Sequence, residues 1–135
     1  VALLQRYQEQ FTQWTESRKI NGSPKSDLLQ WFEYEQHLCR AGDICPGGAF
    51  GAEFAVLPES VRGELEKLHD IQRQWMRATL QTGRERGEIR AEGKVEDQAE
   101  MVLAALQGGL KIARASRDPK AFDGMLEQLK VMLFT

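Results

Sequence analysis

The sequence predicts an all-α domain of about six helices, on three observations. Apolar residues recur at i, i+3, i+4 and i+7 through most of the chain, the period of a helix with one buried face. No stretch alternates apolar and polar residues with β-branched enrichment, as a half-buried strand would. The four prolines stand ahead of apolar stripes, where the first turn of a helix makes no use of the missing N–H.

Taken in order, a first helix from about residue 1 to Lys19 aligns Leu3, Leu4, Tyr7, Phe11 and Trp14, and Asn21-Gly22-Ser23 ends it. Ser23-Pro24 opens a second helix with Leu28, Trp31, Phe32 and Leu38 inward, broken at Ala41-Gly42-Asp43. Cys45-Pro46 opens a short third helix through Phe50, Phe54 and Leu57. Pro58 opens a long fourth helix carrying Val61, Leu65, Leu68, Trp75, Met76 and Leu80. The run Gly83-Arg-Glu-Arg-Gly87 is expected to fray its end, and Gly93 to close the loop that follows. A fifth helix runs from Val95 to about Ser116. Asp118, as N-cap before Pro119, opens a sixth with Phe122, Met125, Leu126, Leu129, Met132 and Leu133 in one stripe.

The fifth helix organises the rest. Between Ala99 and Leu110 it is apolar on almost every side, so several partners must cover it. At ~1.5 Å per residue it is roughly 30 Å long. Gly108 and Gly109 each weaken it by about 1 kcal/mol relative to Ala, a cost that makes sense where another helix approaches the backbone. The remaining helices are too few and too amphipathic to bury it. A two-fold homodimer through the last two helices is therefore expected, with Leu106, Gly108, Gly109, Ile112, Phe122, Met125, Leu129 and Met132 at the interface.

Composition narrows the function. A length of 135 residues is one domain with a core, expected here to span residues 1–135. Apolar content of 41% and charged content of 28% are ordinary for a globular protein. A net charge of −2 advertises neither nucleic acid nor an anionic membrane. Two cysteines are too few for a disulfide scaffold and suit a reducing cytoplasm. No apolar run approaches a membrane span and no signal peptide opens the chain, so a cytoplasmic location is expected. The chain opens on Val1 already in helical pattern, as one would if something upstream had been removed.

No enzyme, metal or cofactor is expected. Gly48-x-x-Gly51 lacks the first glycine of a dinucleotide turn, and Gly87 to Lys94 has the wrong length for a phosphate loop. Glu66-Lys-Leu-His69 is a single Glu-x-x-His, where a di-iron bundle needs two such motifs and two further glutamates. His37, Cys39, Cys45 and His69 lack zinc-site spacing.

A pocket is the remaining candidate. His69 and Gln72 interrupt the apolar stripe of the fourth helix between Leu68 and Trp75, and Glu35 interrupts that of the second after Trp31 and Phe32. With Trp31, Phe50, Phe54, Trp75, Met76 and Met101 they would line a mostly apolar cavity with a few polar groups, the usual character of a small-molecule site. The same stripe also serves as plain core, and a lone His on an apolar face commonly bonds a carbonyl. Arg114 reads equally as an ion-pair partner or as a ligand clamp. Cys45, placed as N-cap of the third helix, is either a thiol activated by the helix dipole, with Arg40 nearby, or a small apolar residue closing a turn.

The stretch Cys45-Pro-Gly-Gly-Ala-Phe-Gly-Ala-Glu-Phe-Ala-Val-Leu-Pro-Glu-Ser-Val-Arg62 resembles the ligand-binding domain of TetR-type transcriptional repressors, in the branch around the nem-operon and YxaF/LmrA-like repressors. Thr82 to Ile89, Leu106 to Arg114 and Asp118 to Phe122 agree in order and spacing, and the resemblance runs from about Ser23 to the C-terminus. It implies a fold whose last two helices form a four-helix bundle with a symmetry mate, and an effector-binding and dimerisation domain of a repressor released by a small molecule, which the pocket residues would make apolar or aromatic. In that branch a cysteine at the place of Cys45 sometimes senses electrophiles. No helix-turn-helix precedes the first helix here, so DNA would be bound only through an N-terminal domain absent from this chain. The alternative is a stand-alone helical ligand carrier or interaction module with no DNA role.

Overall fold

The structure, a computed structural model, describes residues 1–18, 22–41 and 56–135. The predicted third helix, with Cys45, Phe50 and Phe54, lies outside the described residues. Five helices are described: α1 (Ala2–Arg18), α2 (Pro24–Arg40), α3 (Glu59–Glu85), α4 (Val95–Ser116) and α5 (Pro119–Leu133). Their boundaries follow local chemistry. The Ser23 hydroxyl caps α2 by accepting from the Ser26 amide at 3.1 Å, and the Asp118 carboxylate caps α5 by accepting from the Lys120 amide at 3.1 Å. Pro24 and Pro119 follow these caps as first helical residues, whereas Pro58 occupies the cap position itself. Glu96 and Asp97 place negative charge on the positive end of α4.

α3 ends inside the run Gly83–Gly87, at Glu85 with Arg86 as its C-cap, and Gly83 is a buried contact point. A Cβ there would clash with Ile89, whose side chain folds back onto the helix. Gly87 (φ 73°) makes the left-handed turn before this return, and Gly93 (φ 70°) a second one before the next helix. Arg84 then holds the loop, donating to the Gly93 carbonyl at 2.9 Å and to the Gln98 amide oxygen at 2.8 Å. Gln98 in turn donates to the Arg90 carbonyl at 3.1 Å. An isolated bridge pairs Ile89 with Phe134, so the loop and the C-terminus close against each other.

α4 lies between α3 and α5 and also touches α2, while α1 rests on α3. The core joins Leu28 and Phe32 of α2, Met76 and Leu80 of α3, Val102, Leu106 and Leu110 of α4, and Phe122 and Leu126 of α5. Leu3, expected inward, is exposed, and Leu4 is the one buried residue of α1.

The chain covers one side of α4, through Ala99, Val102, Leu106, Leu110 and Ala113. Its other side remains open along Met101, Ala104, Gly108 and Ile112, the last 67% exposed. This divides the expected interface residues. Leu106, Phe122 and Leu129 belong to the chain's own core. Gly109 serves the α4–α5 contact: a Cβ there would stand 2.6 Å from Met125 Cε and 3.1 Å from Phe122 Cδ1. Gly108 faces open space, and Met132 is exposed with Ile112. One central glycine thus closes the domain on itself, and the other sits on its bare face.

Candidate functional site

All three tryptophans of the chain meet in one cluster. On α1, Phe11 and Trp14 fall one turn apart and point the same way, with ring centroids 6.1 Å apart. On α2, Trp31 meets Phe11 edge-on at 5.5 Å. Trp75 of α3 packs 5.2 Å from both Trp31 and Trp14, backing the cluster from below. Such tilted and edge contacts are the favoured arrangements of aromatic quadrupoles.

The rings do not fill the space between α1 and α2. A cavity of about 230 Å³ remains, with Tyr7, Gln10, Phe11 and Trp14 of α1 as one wall and Gln30, Trp31 and Tyr34 of α2 as the other. Its floor is apolar, and its mouth carries the exposed Gln10, Gln30 and Tyr34. Beneath it the Trp31 indole N–H donates to Glu35 Oε1 at 2.9 Å. Glu35 is only 3% exposed, and its Oε2 has no hydrogen-bond partner among the described residues. Burial raises its carboxyl to about 7, with the indole N–H pulling weakly the other way.

A second, more polar cavity of about 170 Å³ lies between α3 and α4, lined by His69, Gln72 and Arg73 on one side and Glu100, Leu103, Ala104 and Gln107 on the other. Gln72 is buried, with its Oε1 unpartnered among the described residues. Arg73 bridges this cavity's rim to Glu100 and pairs with Asp70 at 3.0 Å.

The expected site residues therefore separate. Trp31 lines the aromatic cavity and is in contact with Glu35 and Trp75 outside its lining, while His69 and Gln72 belong to the polar one. Met76 is wholly buried in the core, and Met101 is 47% exposed on the open side of α4. Phe50, Phe54 and Cys45 lie outside the described residues. Sequence reasoning missed Tyr7, Phe11 and Trp14 as cavity walls. Their signal was present, since three rings at i, i+4 and i+7 are more aromatic surface than one short helix needs for docking. Cys39, half-buried in α2, has its thiol pKa raised by burial and by the nearby Asp123 carboxylate, so it is a poor nucleophile.

Among the described residues no helix is long and apolar enough to cross a membrane, and no group of three His, Cys, Asp or Glu is placed to hold a metal. A comparison with curated proteins gives no match. Solved structures do match. A TetR-family transcriptional regulator from Agrobacterium tumefaciens superposes with a TM-score of 0.91 at 22% identity, over 99% of this chain and 72% of that one. A TetR regulatory protein from Rhodobacter sphaeroides gives 0.82 at 19%, over 98% and 72%. The reduced form of E. coli NemR gives 0.83 at 21%, over 99% and 72%. These likenesses show the fold. Residues 28–129 match the family described as tetracyclin repressor-like, C-terminal domain, and the chain belongs to that family, the non-enzymatic C-terminal part of TetR-type transcriptional regulators.

Proposed function

We propose that this chain is the effector-binding and dimerisation domain of a cytoplasmic TetR-type repressor of the nem-operon and YxaF/LmrA-like branch. Its DNA binding, carried by an N-terminal domain outside the chain, is released by a small apolar or aromatic molecule held between α1 and α2. The observation that carries this reading is the aromatic cavity itself. An apolar cavity of ~150 Å³ accepts benzene, so 230 Å³ suits a ligand of one or two rings.

The position of the cavity supports a switching role. α1 is the first helix of the chain and buries only Leu4 fully. Besides the contacts of Phe11 and Trp14 with Trp75, its tie to α3 is polar: Gln8 donates to the Glu64 carbonyl at 2.9 Å and to its carboxylate at 3.0 Å. A ligand entering beside Phe11 and Trp14 competes with the cluster that docks α1, and so shifts the helix nearest any preceding domain. For dimerisation, the open stripe of Met101, Ala104, Gly108 and Ile112 on α4 continues onto Gly124, Val131 and Met132 of α5. Small and apolar residues at helical spacing suit close packing against a second copy.

Because every tryptophan sits in the cluster, intrinsic fluorescence reads the site directly. In the intact repressor, a ligand that releases operator DNA should quench tryptophan emission over the same concentration range, and Trp75→Ala should weaken both effects together. Release of DNA with unchanged tryptophan emission would overturn the assignment.

A further inference from the structure

The lining of the aromatic cavity says more about its ligand than that it is apolar. Five side chains bring aromatic rings to it (Tyr7, Phe11, Trp14, Trp31 and Tyr34), and the others that line it, Gln10 and Gln30, are neutral amides. Among the described residues no charged side chain lines it. The faces of aromatic rings carry negative electrostatic potential, and several converging rings make a cage that favours a cation of low hydration. Trp31 is enriched further, because its N–H donates to the Glu35 carboxyl and polarises the indole. Glu35 thereby places a carboxyl, with one oxygen unpartnered among the described residues, at the N–H edge of that ring.

The cluster already holds one cation. The Arg18 guanidinium carbon lies 5.6 Å from the Trp14 centroid. Arg18 sits at the solvent-facing edge, hydrogen-bonded to Gln30, where water and salt screen its charge. A neutral apolar ligand would use the area of these walls but not their potential, and an anion would face the ring quadrupoles and Glu35 together.

We infer that the cavity between α1 and α2 takes an organic cation, a quaternary or tertiary ammonium joined to a small apolar or aromatic body. This rests on the assignment of the cavity as the effector site and specifies its ligand class. The test is a set of three probes of similar size titrated into the intact protein and followed by tryptophan emission: phenyltrimethylammonium, its neutral isostere tert-butylbenzene, and the anion benzoate. The cation should bind about tenfold more tightly than tert-butylbenzene. At pH 8, where the Glu35 carboxyl is ionised, Glu35→Gln, which keeps the shape of the side chain, should remove most of that preference and leave the affinity for tert-butylbenzene unchanged. Tyr34→Leu, at the exposed mouth, should weaken the cation more than the neutral probe and does not threaten the core. Equal or tighter binding of tert-butylbenzene or benzoate would overturn the cation while leaving the cavity as a ligand site. No response to any probe would overturn the site together with its ligand class.

Discussion

The α1–α2 aromatic cluster and the α4–α5 pair are built from similarly apolar stripes and end in opposite conditions. Between α4 and α5, a glycine at 109 lets Phe122 and Met125 close onto the backbone, and no room is left. Between α1 and α2, rings meet ring edges, and about 230 Å³ remains open above a buried carboxyl. A flexible thioether such as Met125 changes rotamer to fill a gap, and a single ring such as Phe122 seats against a glycine, whereas several large rigid rings set their own spacing. The contrast teaches that a domain of this size can separate structural and receptive regions by how many rigid rings meet and whether a glycine lets them close. One ring and a methionine against a glycine make the frame, and several rings packed edge to edge leave the opening.

The largest expected effect comes from the receptive side. The Glu35 carboxyl stands at about 7 in the fold, against an ordinary 4.5. The folded protein therefore holds a proton that the unfolded chain releases, and stability falls as pH rises from about 4.5 to about 7, by an order of 3 kcal/mol. Glu35→Gln should match the wild type near pH 4.5 and exceed it at pH 8 in urea denaturation. Equal stability at both pH values would show that Glu35 is not the costly buried acid bonded to Trp31.

On the closed side, Gly109→Leu should destabilise the fold by about 2–3 kcal/mol through overpacking against Phe122 and Met125. Its thermal midpoint should fall whether or not the protein is dimeric, and an unchanged midpoint would mean that the α4–α5 contact is looser than the cavity it is contrasted with. Ile112→Glu, three residues on but on the exposed side, should leave helix content intact and raise the dimer dissociation constant by about thirtyfold, or ~2 kcal/mol. A wild-type protein that is monomeric by light scattering at micromolar concentration would remove the second copy altogether. The smallest effect is at the clamp. Gln8→Ala should raise amide exchange in α1 about fivefold while leaving α4 unchanged, since the loss is one hydrogen-bonded tie to α3. Equal acceleration in both helices would mean that α1 is no looser than the frame.

Several features were legible along the chain because they depend on neighbours in sequence. Ser23-Pro24 and Asp118-Pro119 start helices by local capping, and the α5 stripe from Phe122 to Leu133 shows its buried face by period alone. Glu35 stood out as a polar residue at an apolar register position, and the fold buries it. The packing role of Gly83 was not legible for the opposite reason. A glycine near a helix end usually marks the stop, and only the return of Ile89 from six residues on makes it a packing site.

The sequence by itself determined the helices, their caps, the apolar face of each and the presence of polar residues where apolar ones belong. Those properties follow from period and from the chemistry of adjacent residues. Only the tertiary structure decided how the faces combined. It assigned Gly109 inward and Gly108 outward, split Trp31 from Gln72 into two cavities, and turned the Tyr7, Phe11 and Trp14 stripe of α1 into a wall. Neighbouring positions on a helix differ by about 100° in direction. Which direction meets a partner, and whether that partner fills the gap or leaves it open, depends on side chains far away in the chain.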